Sequence, residues 1–239
     1  MTKFNREKQI RKDVTRFYDD IAHRFSQTRK NWWRGLGFFQ KYIEDGDKVL
    51  DFGCGNGRFL EFVYGENLKI KYLGVDVSKE LLAIAKNRYK EEKFGPIEEE
   101  GKMNFKAGQF DKIVSVAVFH HFTPSMAKSS LKEFRRILKK DGIVIITAWH
   151  LWNYKRVVYL IKSFWKNLLQ LNFYKVAKLP FSFSEKKKGQ KTFWRTCYWW
   201  SKRELERVAR KSGLEILESG YSRDNRNNKR NIYLVLRRG

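Results

Sequence analysis

VLDFGCGNGRFL, residues 49–60, decides the reading of this chain. Lys48–Phe52 reads as a short strand that runs into glycines, and Arg58–Tyr64 starts a helix. Gly53, Gly55 and Gly57 between them permit a tight turn and a close approach of backbone to a ligand. A dinucleotide site would show G-x-G-x-x-G, but the spacing here is G-x-G-x-G, with Asp51 two residues before the first glycine. A carboxylate there opposes a pyrophosphate and suits a ligand with an ammonium group and no phosphate. The plain alternative is a turn with no ligand role.

A second acid narrows the choice. Val75-Asp76-Val77 closes the next strand, with Asp76 19 residues beyond Gly57. A carboxylate in that place accepts both hydroxyls of a ribose; read alone, it is equally a helix cap or a surface acid. S-adenosylmethionine carries an ammonium group and a ribose and no phosphate, so it satisfies both acids.

Outward from the loop, elements alternate. Apolar positions such as Ile10, Val14 and Phe17 predict a helix over residues 6–22, and a second spans 34–44, with HRFSQTRKNWW between them as a loop. Ile70–Val75 is a strand, Ser78 an N-cap, and a helix runs to about Tyr89. Residues 97–100 form a short third strand, Phe110–Val116 a strand and Ser125–Leu138 a helix. Lys140-Asp141-Gly142 is a turn, and Ile143–Ala148 a buried β-branched strand. Lys202–Ser212 is a helix, and Leu214–Tyr221 and Asn231–Leu236 pair antiparallel across Ser222–Arg230. The expected fold is α/β, Rossmann-like: a mostly parallel seven-stranded sheet with a C-terminal antiparallel hairpin and helices on both faces. Residues 1–239 read as one domain, with an N-terminal helical cap over 1–45 and an insertion over 151–200.

Composition adds a partner class. Fifty-one Lys and Arg against 26 Asp and Glu leave a net charge of +25, a field that attracts polyanions. Nucleic acid is the first candidate and an anionic membrane the second; a Lys-rich background is the bland alternative. Cys54 and Cys197 form neither a metal pair nor a disulfide framework. The charged opening MTKFNREKQIRKD is unlike a signal peptide, and no run approaches the ~18 apolar residues of a membrane span. The expected location is cytoplasmic.

The residues also carry a family resemblance. YDDIAHRFSQTR, residues 18–29, followed by Trp33, resembles the N-terminal signature of the tRNA wobble-uridine carboxymethyl methyltransferases. Val49–Leu60 matches their cofactor loop, SVAVFHHF (115–122) their fourth-strand motif, and Leu138 to Trp149 their fifth-strand region. Arg195, the Glu204-Leu205 helix and Asn231-Ile-Tyr resemble their C-terminal segment. The family's R-Y-Y-H reads Arg195-Thr-Cys-Tyr198 here, and its paired acidic and tryptophan elements are not evident. The resemblance implies a class I methyltransferase that esterifies 5-carboxymethyluridine in the tRNA anticodon, with a small zinc-binding activator protein as partner. It also implies an adenine-binding acid about a dozen residues before Phe110-Asp111, at Glu99; Glu98 and Glu100 flank it, and a solvated acidic patch is the alternative.

Methyl transfer onto a carboxylate needs an anion anchor and no general base. Arg29 and Arg195 are the candidate anchors, each otherwise a solvated arginine. His120 and His121 fall at the end of the fourth strand; His121 is the candidate for substrate contact, and a buried hydrogen-bonded histidine the alternative. Tyr18 is placed to lie over a cationic sulfonium, or simply in the core. Between Leu151 and Ser201 Glu185 is the single acid among many Lys, Arg and aromatic residues. That composition fits RNA binding by stacking and phosphate contact, plain packing, or peripheral contact with a membrane. Two other functions stay in view: methylation of a lipid or small metabolite at a membrane, and RNA binding with a cofactor site that no longer turns over. The intact acids and glycines argue against the last.

Overall fold

The computed structural model describes residues 3–29, 31–97, 103–151, 158, 161, 175–181, 192–224 and 229–239. Helix α1 (Lys3–Thr28) and a 3-10 stretch (Arg34–Lys41) precede β1 (Lys48–Phe52), α2 (Phe59–Gly65), β2 (Lys71–Asp76) and α3 (Lys79–Arg88). Then come β3 (Lys93–Pro96), β4 (Phe110–Ser115), a 3-10 turn (Phe119–His121), α4 (Pro124–Ile137) and β5 (Leu138–Trp149). The later described elements are β6 (Val176–Phe181), β7 (Phe193–Tyr198), helix α5 (Lys202–Arg210), β8 (Glu215–Asp224) and β9 (Lys229–Arg237).

Seven strands form one sheet in the order β3-β2-β1-β4-β5-β9-β8. Neighbours from β3 to β5 are parallel, and β9 runs antiparallel to both β5 and β8. Strand alternation divides the apolar residues between the two faces. Leu50, Phe52, Ile113, Val144, Ile146, Leu234 and Leu236 pack with α4 and α5 residues such as Phe134, Leu131 and Leu205. Val49, Val114, Ile143, Ile145 and Val235 pack on the other side with Leu36, Phe39, Phe59 and Phe62. Helices on both faces follow, as expected. Thr123 caps α4 by accepting from the Met126 N–H at 3.3 Å, with Pro124 at its first position.

Four expectations need correction. Helix α1 does not stop near residue 22 but runs to Thr28. Its apolar face continues through Ile21 and Phe25 onto Phe17, Tyr18 and Phe181. Thr28 Oγ1 then donates to the carbonyls of Arg24 and Phe25 at 3.1 Å, satisfying groups the helix end leaves over. The stretch after Trp33 is 3-10 rather than α, broken by non-helical angles at Leu36. The third strand is Lys93–Pro96, four residues earlier than expected, because its pairing with Leu73–Asp76 ends there; residues 98–100 lie outside the described residues. Residues 140–142 do not separate two elements: β5 runs through them, with a register shift against β4 between Phe110 and Lys112.

Within the insertion, β6 and β7 form an antiparallel hairpin that sequence reading did not find. It lies along α1, where Phe181 meets Phe17 and Val176 meets Ile10 and Val14. Much of the rest of 151–200 lies outside the described residues. No described helix is long and apolar enough to cross a membrane.

Candidate functional site

The C-terminal ends of the parallel strands, α1 and the β6–β7 hairpin enclose a cavity of about 1190 Å³. Its position at the carboxyl edge of the sheet is where open α/β folds bind ligands.

The floor is the glycine loop. Gly53 has φ of +78° and Gly57 φ of +77°, conformations that side chains rarely adopt. A Cβ on Gly53 would collide with Val118 Cγ2, and one on Gly57 would stand 2.8 Å from Tyr89 Cε2. Gly53 and Gly55 line the cavity, whereas Gly57 packs beneath the loop against Tyr89. The Asn56 side chain donates to the Arg29 carbonyl at 3.3 Å, tying the loop to the end of α1.

Both acids are buried at this floor. Asp51 accepts from the Tyr72 hydroxyl at 2.9 Å. Burial pushes its carboxyl up to about 7, against the lowering effect of Tyr72. Asp76 accepts from the Gly55 N–H and the Ser78 N–H, each at 2.8 Å. Burial raises its carboxyl as well, and these backbone bonds pull it back. A carboxylate offers about four acceptor sites, so Asp76 keeps capacity for a ligand. Asp19, which sequence reading did not single out, accepts from Ser78 Oγ at 2.6 Å and from the Glu80 N–H at 3.4 Å, pinning α1 to the start of α3. Leu81, Ile97 and Met103 supply apolar wall beyond Asp76. Glu99 lies outside the described residues.

The opposite end of the cavity is aromatic and cationic. His121 Nδ1 lies 2.8 Å from the Thr196 carbonyl, and its Nε2 lies 3.0 Å from the Tyr18 hydroxyl. A carbonyl only accepts, so Nδ1 carries the proton and Nε2 accepts a hydrogen bond from the Tyr18 hydroxyl. Burial, reinforced by Arg195, brings His121 down to about 3, so the ring is neutral at physiological pH. Burial also raises Tyr18, which stays a phenol. Arg195 is 4% exposed. Its guanidinium lies 3.8 Å from the Trp149 ring centre and 5.0 Å from that of Phe181. Its Nε makes no hydrogen bond, and it pairs with no carboxylate, among the described residues. Beside this end Ala117 takes φ of +57°, an outlier for a residue with a Cβ, held by its N–H donating to Thr147 Oγ1 at 2.7 Å.

The cavity thus brings together Tyr18, Arg29, Asp51, Gly53, Gly55, Asp76, His121 and Arg195 from distant parts of the chain. Arg29 sits on the rim, half-buried, its Nη1 donating to the Thr28 carbonyl at 3.2 Å. Sequence reading named Trp149 in the fifth-strand region and Phe181 among the aromatics of the insertion but did not pair them with Arg195, because strand β5 and the hairpin meet only in the fold. The chemistry fits S-adenosylmethionine: buried acids for a cationic ligand and an apolar wall for a base.

Comparison with known proteins agrees. A family model described as a methyltransferase domain matches residues 50–146. An uncharacterized protein of Methanocaldococcus jannaschii is 32% identical over 213 residues, covering 85% of this chain and 77% of that protein. A solved methyltransferase of Methanosarcina mazei shares the fold, with a TM-score of 0.68 at 15% identity over 84% of this chain and 97% of that one. This chain belongs to the class I S-adenosylmethionine-dependent methyltransferases. The methyltransferase also matches, at 38% identity over 142 residues, a tRNA (carboxymethyluridine(34)-5-O)-methyltransferase of Xenopus tropicalis. That match covers 59% of this chain and 22% of the relative, so the methyltransferase spans about a fifth of the relative's length. Among solved structures, a putative methyltransferase in complex with the Haloferax volcanii Trm112 methyltransferase activator shares the fold, with a TM-score of 0.63 at 18% identity over 94% of this chain and 97% of that one.

Proposed function

We propose that this methyltransferase esterifies the carboxylate of a 5-carboxymethyl-type uridine at the wobble position of tRNA. The observation that carries this reading is Arg195, a buried guanidinium with no carboxylate partner among the described residues. Aromatic rings and the Tyr18 hydroxyl surround the guanidinium but bring no negative charge; an acceptor carboxylate gripped at two points supplies that counter-charge. Similarity over 142 residues to the tRNA (carboxymethyluridine(34)-5-O)-methyltransferase of Xenopus tropicalis supports the same substrate.

In this reading Asp51 holds the ammonium group of S-adenosylmethionine and Asp76 its ribose, over the backbone of Gly53 and Gly55. When bound, the cofactor supplies a methyl group on a cationic sulfonium, transferred by displacement. An acceptor carboxylate is already ionised at neutral pH, so no residue has to take a proton. His121 supports this reading, with one nitrogen committed to Thr196 and the other to Tyr18. It positions Tyr18 and is not a base. Arg29 is the second anion contact, at the rim.

Two pH dependences follow. Asp51, held at about 7, must be ionised to receive an ammonium group. S-adenosylmethionine affinity therefore falls as pH drops below 7, approaching tenfold per unit, and Asp51→Asn flattens that dependence; calorimetric titration at several pH values reads both. The single-turnover methylation rate at saturating cofactor stays flat between about pH 6.5 and 9, because the acceptor's proton is gone well below that range. A rate rising tenfold per unit there means an acceptor that must first lose a proton, and removes the carboxylate from the proposal. We propose a Trm112-type activator as partner, so both measurements are made with and without one.

A further inference from the structure

We infer that the solvent face of α1 is the track on which the RNA backbone docks, with Phe4 as a stacking platform at its end. The inference rests on the RNA substrate proposed above. Phe4, Lys8, Lys12 and Arg16 recur every fourth residue, so they form one slanted row with Cβ atoms about 5–6 Å apart. The row is roughly 18 Å long at 1.5 Å per residue. All four are exposed, Phe4 by 73%.

The acids of the same stretch are spent elsewhere. Glu7 accepts from Thr123 Oγ1 at 2.9 Å, Asp13 pairs with Lys178 at 3.5 Å, and Asp19 accepts from Ser78 Oγ at 2.6 Å. Lys8, Lys12 and Arg16 form no ion pair among the described residues. Three like charges at four-residue spacing repel one another along a helix, and Asp20 is the first acid to interrupt the row. A polyanion laid along the row relieves that repulsion and releases its own counterions.

Phe4 selects the kind of polyanion. An exposed ring at the end of a cationic row accepts an unpaired base by stacking, which is the usual division of labour in single-strand RNA binding. A bilayer is the weaker fit, because the apolar face of α1 is already buried. Ile10, Val14, Phe17 and Ile21 all pack inward, which leaves a single ring to enter lipid. The row also borders the cavity, and Tyr18, which lines it, belongs to the same helix. A strand following α1 is therefore delivered at the site.

The test is filter binding of unmodified tRNA transcript across a salt series, with wild type, the triple variant Lys8→Ala, Lys12→Ala, Arg16→Ala, and Phe4→Ala. Helix content and thermal midpoint matching wild type serve as the fold control. The triple variant is expected to bind at least tenfold more weakly at low salt. Its slope of log affinity against log salt should be shallower by about 2, at roughly 0.7 for each phosphate no longer neutralised. Phe4→Ala is expected to weaken binding with the slope unchanged. A triple variant with the wild-type slope overturns the docking surface and leaves the RNA substrate standing. Wild type that does not bind tRNA at all overturns both. A triple variant that keeps tRNA but no longer binds phosphatidylserine vesicles reassigns the face to a membrane and overturns the inference.

Discussion

Asp76→Ala is expected to weaken S-adenosylmethionine binding on the order of a thousandfold. A ribose presents two hydroxyls, and a hydrogen bond to an ionised acceptor is worth about 1.5–3 kcal/mol. Removing two such bonds, each near the middle of that range, amounts to roughly three powers of ten. The residue has a second duty that the experiment must separate. Its oxygens also hold the Gly55 and Ser78 N–H groups at 2.8 Å, so alanine loosens the glycine loop as well. Asp76→Asn keeps one acceptor for the loop and loses the charge. Calorimetric titration of both variants, with thermal denaturation alongside, distinguishes loop loosening from ribose loss. Asparagine is expected to recover most of the stability and little of the affinity. Unchanged affinity in the alanine variant removes Asp76 from the ribose.

Arg195→Ala is expected to lower methyl transfer to tRNA by roughly 100-fold or more while leaving cofactor affinity near wild type. The guanidinium offers a carboxylate two parallel donors, each worth about 1.5–3 kcal/mol when the acceptor is charged. Lysine restores the charge without the fork, so Arg195→Lys recovers only a fraction of the rate. Arg195 also fills space between Trp149 and Phe181, and alanine removes that packing. Rates are therefore compared at temperatures where both variants remain folded. Full activity in Arg195→Ala removes the anion anchor, and with it the main support for a carboxylate acceptor.

Much of this molecule was legible because its signals are local. The strand–glycine–helix turn at 48–64 and the acid closing β2 depend on neighbours in sequence. The buried runs of β4 and β5 and the cap at Ser78 do so as well. What escaped depends on partners far along the chain. Helix α1 outlasts its own polar sequence because Phe25 meets Tyr18 and the hairpin covers Phe17 and Ile21. Strand β3 takes its limits from β2. The β6–β7 hairpin was hidden by a basic, aromatic composition that fits RNA binding, plain packing or membrane contact and points to no strand.

The site divides in the same way. Asp51, Gly53, Gly55 and Asp76 were assigned to one ligand from their chemistry and spacing, and in the structure they line one cavity with Tyr18, Arg29, His121 and Arg195. A buried, hydrogen-bonded histidine was in view at His121 from the sequence, but its partners were not, because Thr196 lies 75 residues away and Tyr18 103 residues away. Nor was the aromatic bed of Arg195, which Trp149 brings from β5 and Phe181 from the hairpin.

The most direct test of the account is to incubate the protein and a Trm112-type activator with methyl-labelled S-adenosylmethionine and tRNA containing 5-carboxymethyluridine. The tRNA is then digested and the labelled nucleoside identified by mass spectrometry. The account predicts label in the methyl ester of that nucleoside and none in the same tRNA lacking the carboxymethyl group. Label in a different nucleoside, or none although cofactor binding is measured in the same sample, contradicts it.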